Sequence, residues 1–118
     1  MLADLQMDLA ADPPVARIVG EVDASNAAGF TAQLKEAVPN SALGLVLDLS
    51  ETSYLDSSGV HLIFELADAL RRRQQALQLV VPPETFIADV LAAVNLQAAA
   101  RASETLAEAL ESLRNHHF

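Results

Sequence analysis

A short, nearly continuous apolar run over residues 43–49 constrains the fold of this sequence more than any other feature. A strand that buries one face alternates apolar and polar residues, whereas a continuous run of this length is typical of a strand covered on both faces. Residues 77–81 form the next such strand, which ends at Pro82-Pro83. The two runs predict buried strands in a sheet with helices packed against it.

Two further β-rich segments open the chain. Leu5, Met7 and Leu9 alternate with polar residues, as in a half-buried strand, and residues 15–22 form a second run after Asp12-Pro13-Pro14. We expect these two strands to pair antiparallel.

Four segments with apolar residues at helical spacing follow between the strands. The first helix is predicted over residues 26–38, after the capping sequence Asp23-Ala24-Ser25-Asn26. The other three helices carry their apolar residues at these positions: Val60, Ile63, Phe64, Ala67 and Leu70, with Leu62 and Leu66 beside them; Phe86, Ile87, Val90, Leu91 and Val94, ending near Asn95; and Leu106, Leu110 and Leu113, with Ser103 as the predicted cap.

The connecting segments complete the predicted fold. Residues 50–56 are predicted to form a loop. Residues 96–102 are predicted to form an edge strand, which is only weakly indicated because alanines favour helix over strand. The order of elements predicts one α/β domain over residues 1–118, with a polar tail at its last residues. Its sheet is mixed, with an antiparallel first pair and then parallel strands, right-handed crossovers and about four helices packed against it.

Composition excludes several classes of function. Sixteen acidic residues against seven Lys and Arg give a formal charge of -9, which repels phosphate backbones and anionic lipid surfaces. We therefore expect no direct binding to nucleic acid. The absence of Cys removes disulfides and thiolate sites and fits a reducing compartment, so the cytoplasm is the expected location. No stretch approaches the ~20 apolar residues of a membrane span, so membrane insertion is not expected.

The one basic cluster, Arg71-Arg72-Arg73, has a structural interpretation and a functional one. It lies where the second long helix should end, and cations there complement the helix dipole. We favour that role over a docking patch.

The segment Tyr54 to Val60, with the sequence YLDSSGV, joins the predicted loop to this helix. Backbone N–H groups at a helix start lack partners within the helix and favour anions. Spacing alone allows a simpler interpretation, in which Ser57 or Ser58 is the N-cap and Gly59 lies in the first turn.

The whole chain resembles the STAS domain, the fold shared by sulfate transporter tails and bacterial anti-sigma factor antagonists. Three segments carry the resemblance: residues 20–23 (GEVD), residues 45–49 (LVLDL) and residues 55–60 (LDSSGV). The last of these is the specific one.

In the antagonist branch, the resemblance implies, a kinase that is also the anti-sigma factor phosphorylates a serine of the Asp-Ser-Ser/Thr-Gly segment, and a serine phosphatase reverses the modification. The unphosphorylated antagonist binds the anti-sigma factor and frees the sigma factor to join RNA polymerase. Carried onto this sequence, the acceptor is Ser58, with Ser57 as the second choice. The partner-binding residues implied are these: Asp23, Asp56, Ser57, Ser58, Gly59 and His61. His61 departs from the small or aliphatic residue that relatives often carry there.

Four alternatives make different predictions. An enzyme with Ser58 as nucleophile and His61 as base would need a third residue that orients the His, and the sequence offers none, so no enzyme and no cofactor are expected. The histidines lack metal-ligand spacing with the carboxylates, so no metal site is expected.

A receiver domain that is phosphorylated on Asp48 would need a Lys near the far end, but the one Lys is Lys35. The fourth is a STAS scaffold that is not phosphorylated, for example the partner of a membrane lipid or anion transporter.

Overall fold

The computed structural model describes residues 3–96 and 99–115. The first half of the described chain contains β1 (Asp4–Asp8), β2 (Val15–Val22), α1 (Ala27–Ala37), β3 (Gly44–Asp48) and β4 (Thr52–Leu55). The second half contains α2 (Ser57–Arg72), β5 (Ala76–Val80), α3 (Phe86–Ala93), β6 (Arg101–Ser103) and α4 (Leu106–Arg114). None of the helices in these residues is long and apolar enough to cross a membrane.

The strands form one mixed sheet in the order β1-β2-β3-β5-β6, and β4 pairs with β2 outside this path. The first pair is antiparallel, and the pairs β2–β3, β2–β4, β3–β5 and β5–β6 are parallel. The predicted α/β class and the predicted arrangement of the sheet are therefore confirmed.

The two faces of β3 explain its continuous apolar sequence. Leu45 and Leu47 belong to the larger core, which lies between the sheet and the helices α1, α2 and α3. Val46 points to the other face, where it joins Val80 and the α4 residues Ala109 and Leu113 in a second core. A strand covered on both sides has no position at which a solvated side chain would fit.

Three details differ from the sequence-based predictions. The predicted loop at 50–56 contains β4, which is too short, and too exposed at Ser53 and Tyr54, to show a strand pattern. The cap of α4 is Thr105 rather than Ser103, and Thr105 forms a capping box with Glu108. On α2, Leu62 and Leu66 are among the fully buried side chains, whereas Val60 and Phe64 are only partly buried.

The last strand is shorter than predicted. β6 begins at Arg101, and within the predicted segment residues 97 and 98 lie outside the described residues. It does lie at the sheet edge, next to β5. Of the predicted polar tail, Arg114 ends α4 and residues 116–118 lie outside the described residues.

The arginine cluster has the structural role that the sequence favoured. Arg71 and Arg72 both pair with Asp68, one turn earlier on α2, at 2.8 Å. Arg73 donates hydrogen bonds to the carbonyl oxygens of Lys35 and Val38 at the end of α1, at 3.2 and 2.6 Å. The cluster thus places cations in the last turn of α2, and the Arg73 side chain completes the C-terminal end of α1.

Gly59 allows the first turn of α2 to lie directly on the sheet. It is buried, and a Cβ atom at this position would lie 2.5 Å from Cδ2 of Leu55 and 3.2 Å from Cγ1 of Val22. Both neighbours are themselves buried in the core. A larger residue would therefore push the helix start away from the strands.

We expect Gly59→Ala to lower the free energy of unfolding by about 1–3 kcal/mol, because overpacking in a core outweighs the better helix propensity of Ala. Gly29 in α1 is the matched control, since a Cβ there meets nothing within 4 Å. Gly29→Ala is expected to raise the same quantity by up to ~1 kcal/mol. Urea unfolding of the two variants and the wild type measures both effects. A Gly59→Ala variant that gains stability would contradict the close contact.

Candidate functional site

The pairing of β4 with β2 brings Asp23 and Asp56 together. The register places Val22 opposite Leu55, so the residue after each of them lies at the same end of the sheet. The backbone N–H of Asp56 also donates to the carbonyl oxygen of Val22, at 3.3 Å. Two carboxylates that are far apart in the sequence thus lie on one surface.

Asp56, rather than Ser57 or Ser58, is the N-cap of α2. Its Oδ1 accepts hydrogen bonds from the backbone N–H groups of Ser58 and Gly59, at 2.8 and 3.3 Å. The sequence predicted free donors at this helix start, and this carboxylate occupies two of them. The helix start is therefore already complemented by a negative charge.

The two serines lie in the first turn of α2, where Ser57 is exposed and Ser58 half-buried. Both line an open groove of about 620 Å³ between α1 and α2. The α1 side of this groove consists of small residues and one cation: Ala24, Ala27, Ala28, Thr31, Ala32 and Lys35. Because those side chains are small, a partner has access to the serine hydroxyls from this side.

One salt bridge connects α1 and α2 farther along the groove, and a second contact lies within α2. Glu65 on α2 accepts from Nζ of Lys35 on α1 at 2.9 Å, and its other oxygen lies 3.4 Å from Nε2 of His61. The Lys35 ammonium lowers the pKa of Glu65, first through the hydrogen bond and then through its charge. His61 itself is 77% exposed, so it presents a ring to solvent one turn after the serines.

Asp23 orders the loop between β2 and α1 without capping α1. Its carboxylate accepts hydrogen bonds from the hydroxyl and the backbone N–H of Ser25, and these bonds, the hydroxyl's first, lower the pKa of Asp23. The N-cap position belongs to Asn26, which makes no side-chain cap bond and instead joins Asp23 N–H to the carbonyl of Glu21. The Asp23 side chain in the predicted capping sequence therefore does not cap α1, and Asp23 lies at the same end of the sheet as Asp56.

Asp48 is placed unfavourably for a receiver-type phosphoacceptor. It is 2% exposed and is held by the Arg17 guanidinium at 3.1 Å and by the N–H of Ser50 at 2.9 Å. Lys35 pairs with Glu65 on α2. In residues 3–96 and 99–115, no group of three His, Asp or Glu side chains could hold a metal ion.

Lys35 and Glu65 were missed as residues of this surface. The spacing of four residues between His61 and Glu65 was a usable signal for that pair. No local pattern connects Lys35 to Glu65, because their contact depends on how α1 and α2 pack.

A family model described as "STAS domain" matches residues 5–109 of the chain. No match was found among curated protein sequences.

Three solved structures illustrate the similarity in fold. An anti-sigma factor antagonist from Mycobacterium paratuberculosis is 20% identical with a TM-score of 0.84, over 97% of this chain and 96% of that chain. The Bacillus protein SpoIIAA in its phosphorylated form is 21% identical with a TM-score of 0.66, over 94% and 100%. A sulfate transporter family protein from Wolinella succinogenes is 14% identical with a TM-score of 0.64, over 85% and 84%.

The Lys35–Glu65 pair predicts a specific pH dependence. Because the pKa of Glu65 is lower in the folded state, the stability that it contributes is fully present above its ordinary pKa of 4.5 and is lost as the pH falls through the lower folded value. We therefore expect the wild type to lose more stability than Glu65→Gln when the pH falls from 7 to 3.

Urea unfolding across this pH range measures the difference, and Lys35→Met provides the control. In the Lys35→Met background, Glu65→Gln is expected to change the pH dependence little, because the partner that lowers the pKa is gone. An equal effect of Glu65→Gln in both backgrounds would show that Lys35 is not the cause.

Proposed function

This chain belongs to the STAS domain family, and on that premise we propose that it is an anti-sigma factor antagonist, a binding module rather than an enzyme, that is switched by phosphorylation of Ser58. The unphosphorylated chain binds an anti-sigma factor that is also a serine kinase and thereby frees a sigma factor for transcription. A serine phosphatase restores the binding form. The chain acts in the cytoplasm, binds no nucleic acid directly and is not inserted into a membrane.

The observation that carries this proposal is the placement of Ser58. Its side chain is half-buried at the start of α2 and opens into the groove beside α1, immediately before Gly59, which holds this turn against the sheet. The fold similarity to an anti-sigma factor antagonist and to a phosphorylated SpoIIAA supports the same assignment.

The partner surface consists of the residues that surround Ser58. Asp23 and Asp56 border it at the end of the sheet, and Ser57 and His61 continue it along α2. Gly59 contributes through its backbone, because its position allows the turn to lie close to the strands. Since relatives often carry a smaller residue at the position of His61, we assign His61 to the choice of partner.

A phosphate on Ser58 changes the charge of this surface while it leaves the fold intact. It adds about -1.5 to -2 charge units. The helix dipole favours this charge by up to ~2 kcal/mol, and Lys35 lies in the same groove. Asp56, whose carboxylate already occupies the N–H groups of Ser58 and Gly59, repels it. The opposing effects leave the stability of the free protein nearly unchanged.

In the complex, the favourable and unfavourable effects of the phosphate no longer cancel. A closely packed partner must either desolvate the phosphate or leave a gap around it, and a buried charge without a partner costs several kcal/mol. Each 1.4 kcal/mol is tenfold in affinity. Phosphorylation therefore acts on the interface.

The site of phosphorylation is tested by incubating the chain with ATP and the purified anti-sigma serine kinases of the same organism. We expect the cognate kinase to label the wild type and Ser57→Ala, and not Ser58→Ala. Ser57 is the matched control because it is the neighbouring hydroxyl on the same helix turn and lines the same groove. Label that stays on Ser58→Ala and disappears from Ser57→Ala would assign the switch to Ser57.

Labelling of neither serine by any of these kinases would refute the switch. It would favour the alternative of a STAS scaffold without phosphorylation, for which the fold similarity to a sulfate transporter family protein gives the precedent.

The effect of the switch is tested by comparing binding with stability. Phospho-Ser58 protein is expected to keep its circular dichroism spectrum and its Tm and to bind the anti-sigma factor at least about tenfold more weakly than the unmodified protein. Ser58→Asp carries a smaller charge and is expected to lose less. Equal affinity of the two forms, or loss of tertiary structure on phosphorylation, would overturn the mechanism.

A further inference from the structure

The helix α3 combines an apolar sequence with a position on the surface. Seven of its eight residues are apolar, and Asp89 is its one charged residue. A helix that is apolar on all sides is normally buried. In α3, Ile87 and Leu91 face the core, whereas Phe86 is 52% exposed and Val94, which follows the helix, is 38% exposed. The helix α4 differs from α3 in this respect, because the exposed side of α4 carries charged residues.

Phe86 stacks on Tyr54 of β4. The ring centroids are 5.9 Å apart with an angle of 11° between the planes, and Tyr54 is 40% exposed. The chain has only five aromatic residues, four Phe and one Tyr, so two of the five form an exposed pair. Val90 lies one turn after Phe86 on the same side of α3 and is partly exposed. We call Tyr54, Phe86, Val90 and Val94 the aromatic patch.

The position of Phe86 is fixed by the start of its helix. Thr85 caps α3, since its hydroxyl accepts from the N–H of Ala88 at 3.1 Å and donates to the carbonyl of Pro82 at 2.9 Å. Tyr54 is fixed by the pairing of Glu21 and Tyr54 in the sheet. Two aromatic rings held in place before binding lose little conformational entropy when a partner covers them, and aromatic residues are enriched at interfaces.

The aromatic patch lies at the same end of the sheet as the proposed switch. The strands β2, β4 and β5 run parallel, so the segments that follow them lie at one edge. Asp23 follows β2, Asp56 and Ser58 follow β4, and Phe86 follows β5 by six residues. Tyr54 is separated from Asp56 by a single residue. A partner that contacts Ser58 from this end therefore has the patch within reach.

The charges around the patch are negative. Glu84 and Asp89, which flank Phe86 in sequence and on the helix, are exposed. The chain as a whole carries a formal charge of -9. Complementary charge therefore favours a partner with Lys or Arg around an apolar centre, and it opposes pairing with a second copy of this chain.

We propose that the aromatic patch is a second contact surface for the anti-sigma factor, which covers it with an apolar, Lys- or Arg-rimmed surface while it contacts Ser58. This inference rests on the proposed function and adds to it the site that supplies apolar binding energy away from the phosphorylated residue. Phosphorylation and patch contact then affect affinity separately.

The test uses the double variant Tyr54→Thr, Phe86→Gln and the anti-sigma serine kinase that labels the wild type. Isothermal titration calorimetry is expected to show affinity about tenfold or more below that of the wild type, because buried aromatic residues are frequent hot spots. The Tm is expected to change by a few degrees at most, because both side chains are exposed. The matched control is Met7→Gln, Leu43→Gln, which removes two exposed apolar side chains outside the patch, 38% and 41% exposed, and is expected to bind as the wild type does.

Each other outcome has a definite meaning. If the wild type and the double variant bind the kinase equally, the patch is not a contact surface, and the proposed function stands. If sedimentation velocity shows a wild-type dimer that the double variant loses, a second copy covers the patch and the inference is overturned. If no anti-sigma kinase binds or labels the wild type, the proposed function fails and this inference fails with it.

Discussion

The parallel pairing of β4 with β2 is the constraint on which the candidate site depends. It places Val22 opposite Leu55, and the hydrogen bond from Asp56 to the carbonyl of Val22 extends the pairing by one residue. The start of α2 is thereby fixed relative to the loop that follows β2. Gly59 then allows the first turn to approach both strands at a distance that no other residue permits without displacing them. A displacement of this turn would move the serine hydroxyls away from the groove beside α1.

Most of the Lys and Arg side chains of this acidic chain have partners within the protein. Six of its seven Lys and Arg residues bind carboxylates or carbonyl oxygens within the protein. Arg17 neutralises the buried Asp48, and Arg73 completes the end of α1. With these cations engaged, the end of the sheet that carries Asp23 and Asp56 is dominated by negative charge. In the proposed complex, complementary charge therefore has to come from the partner, and the proposed phosphate would increase the mismatch with any acidic part of that partner.

The surface at this end of the sheet has two chemically different parts. Around Ser58 it is made of small and charged side chains. The aromatic patch is apolar and preorganised, which suits affinity. A switch works well when the modified residue is not also the main source of binding energy. A moderate loss of binding free energy on modification then dissociates the complex, while the rest of the surface still recognises the partner.

The sequence by itself determined the class of fold and most of the elements, and it singled out the segment before Gly59 as the candidate site. The continuous apolar run at residues 43–49 has one physical explanation, burial on both faces, and helical periodicity together with predicted cap and stop residues located the helices within a few residues. These are local signals. The tertiary structure alone decided that residues 52–55 form a strand, because four residues with an exposed middle carry no pattern and depend on β2 for their hydrogen bonds. It also decided which residue caps α2, since Asp56, Ser57 and Ser58 are all good caps and only the backbone geometry distinguishes them. The contacts of Lys35 with Glu65 and of Tyr54 with Phe86 join segments about 30 residues apart, and no spacing in the sequence encodes them. They arise because the packing of helices on a sheet sets distances that the local sequence does not specify.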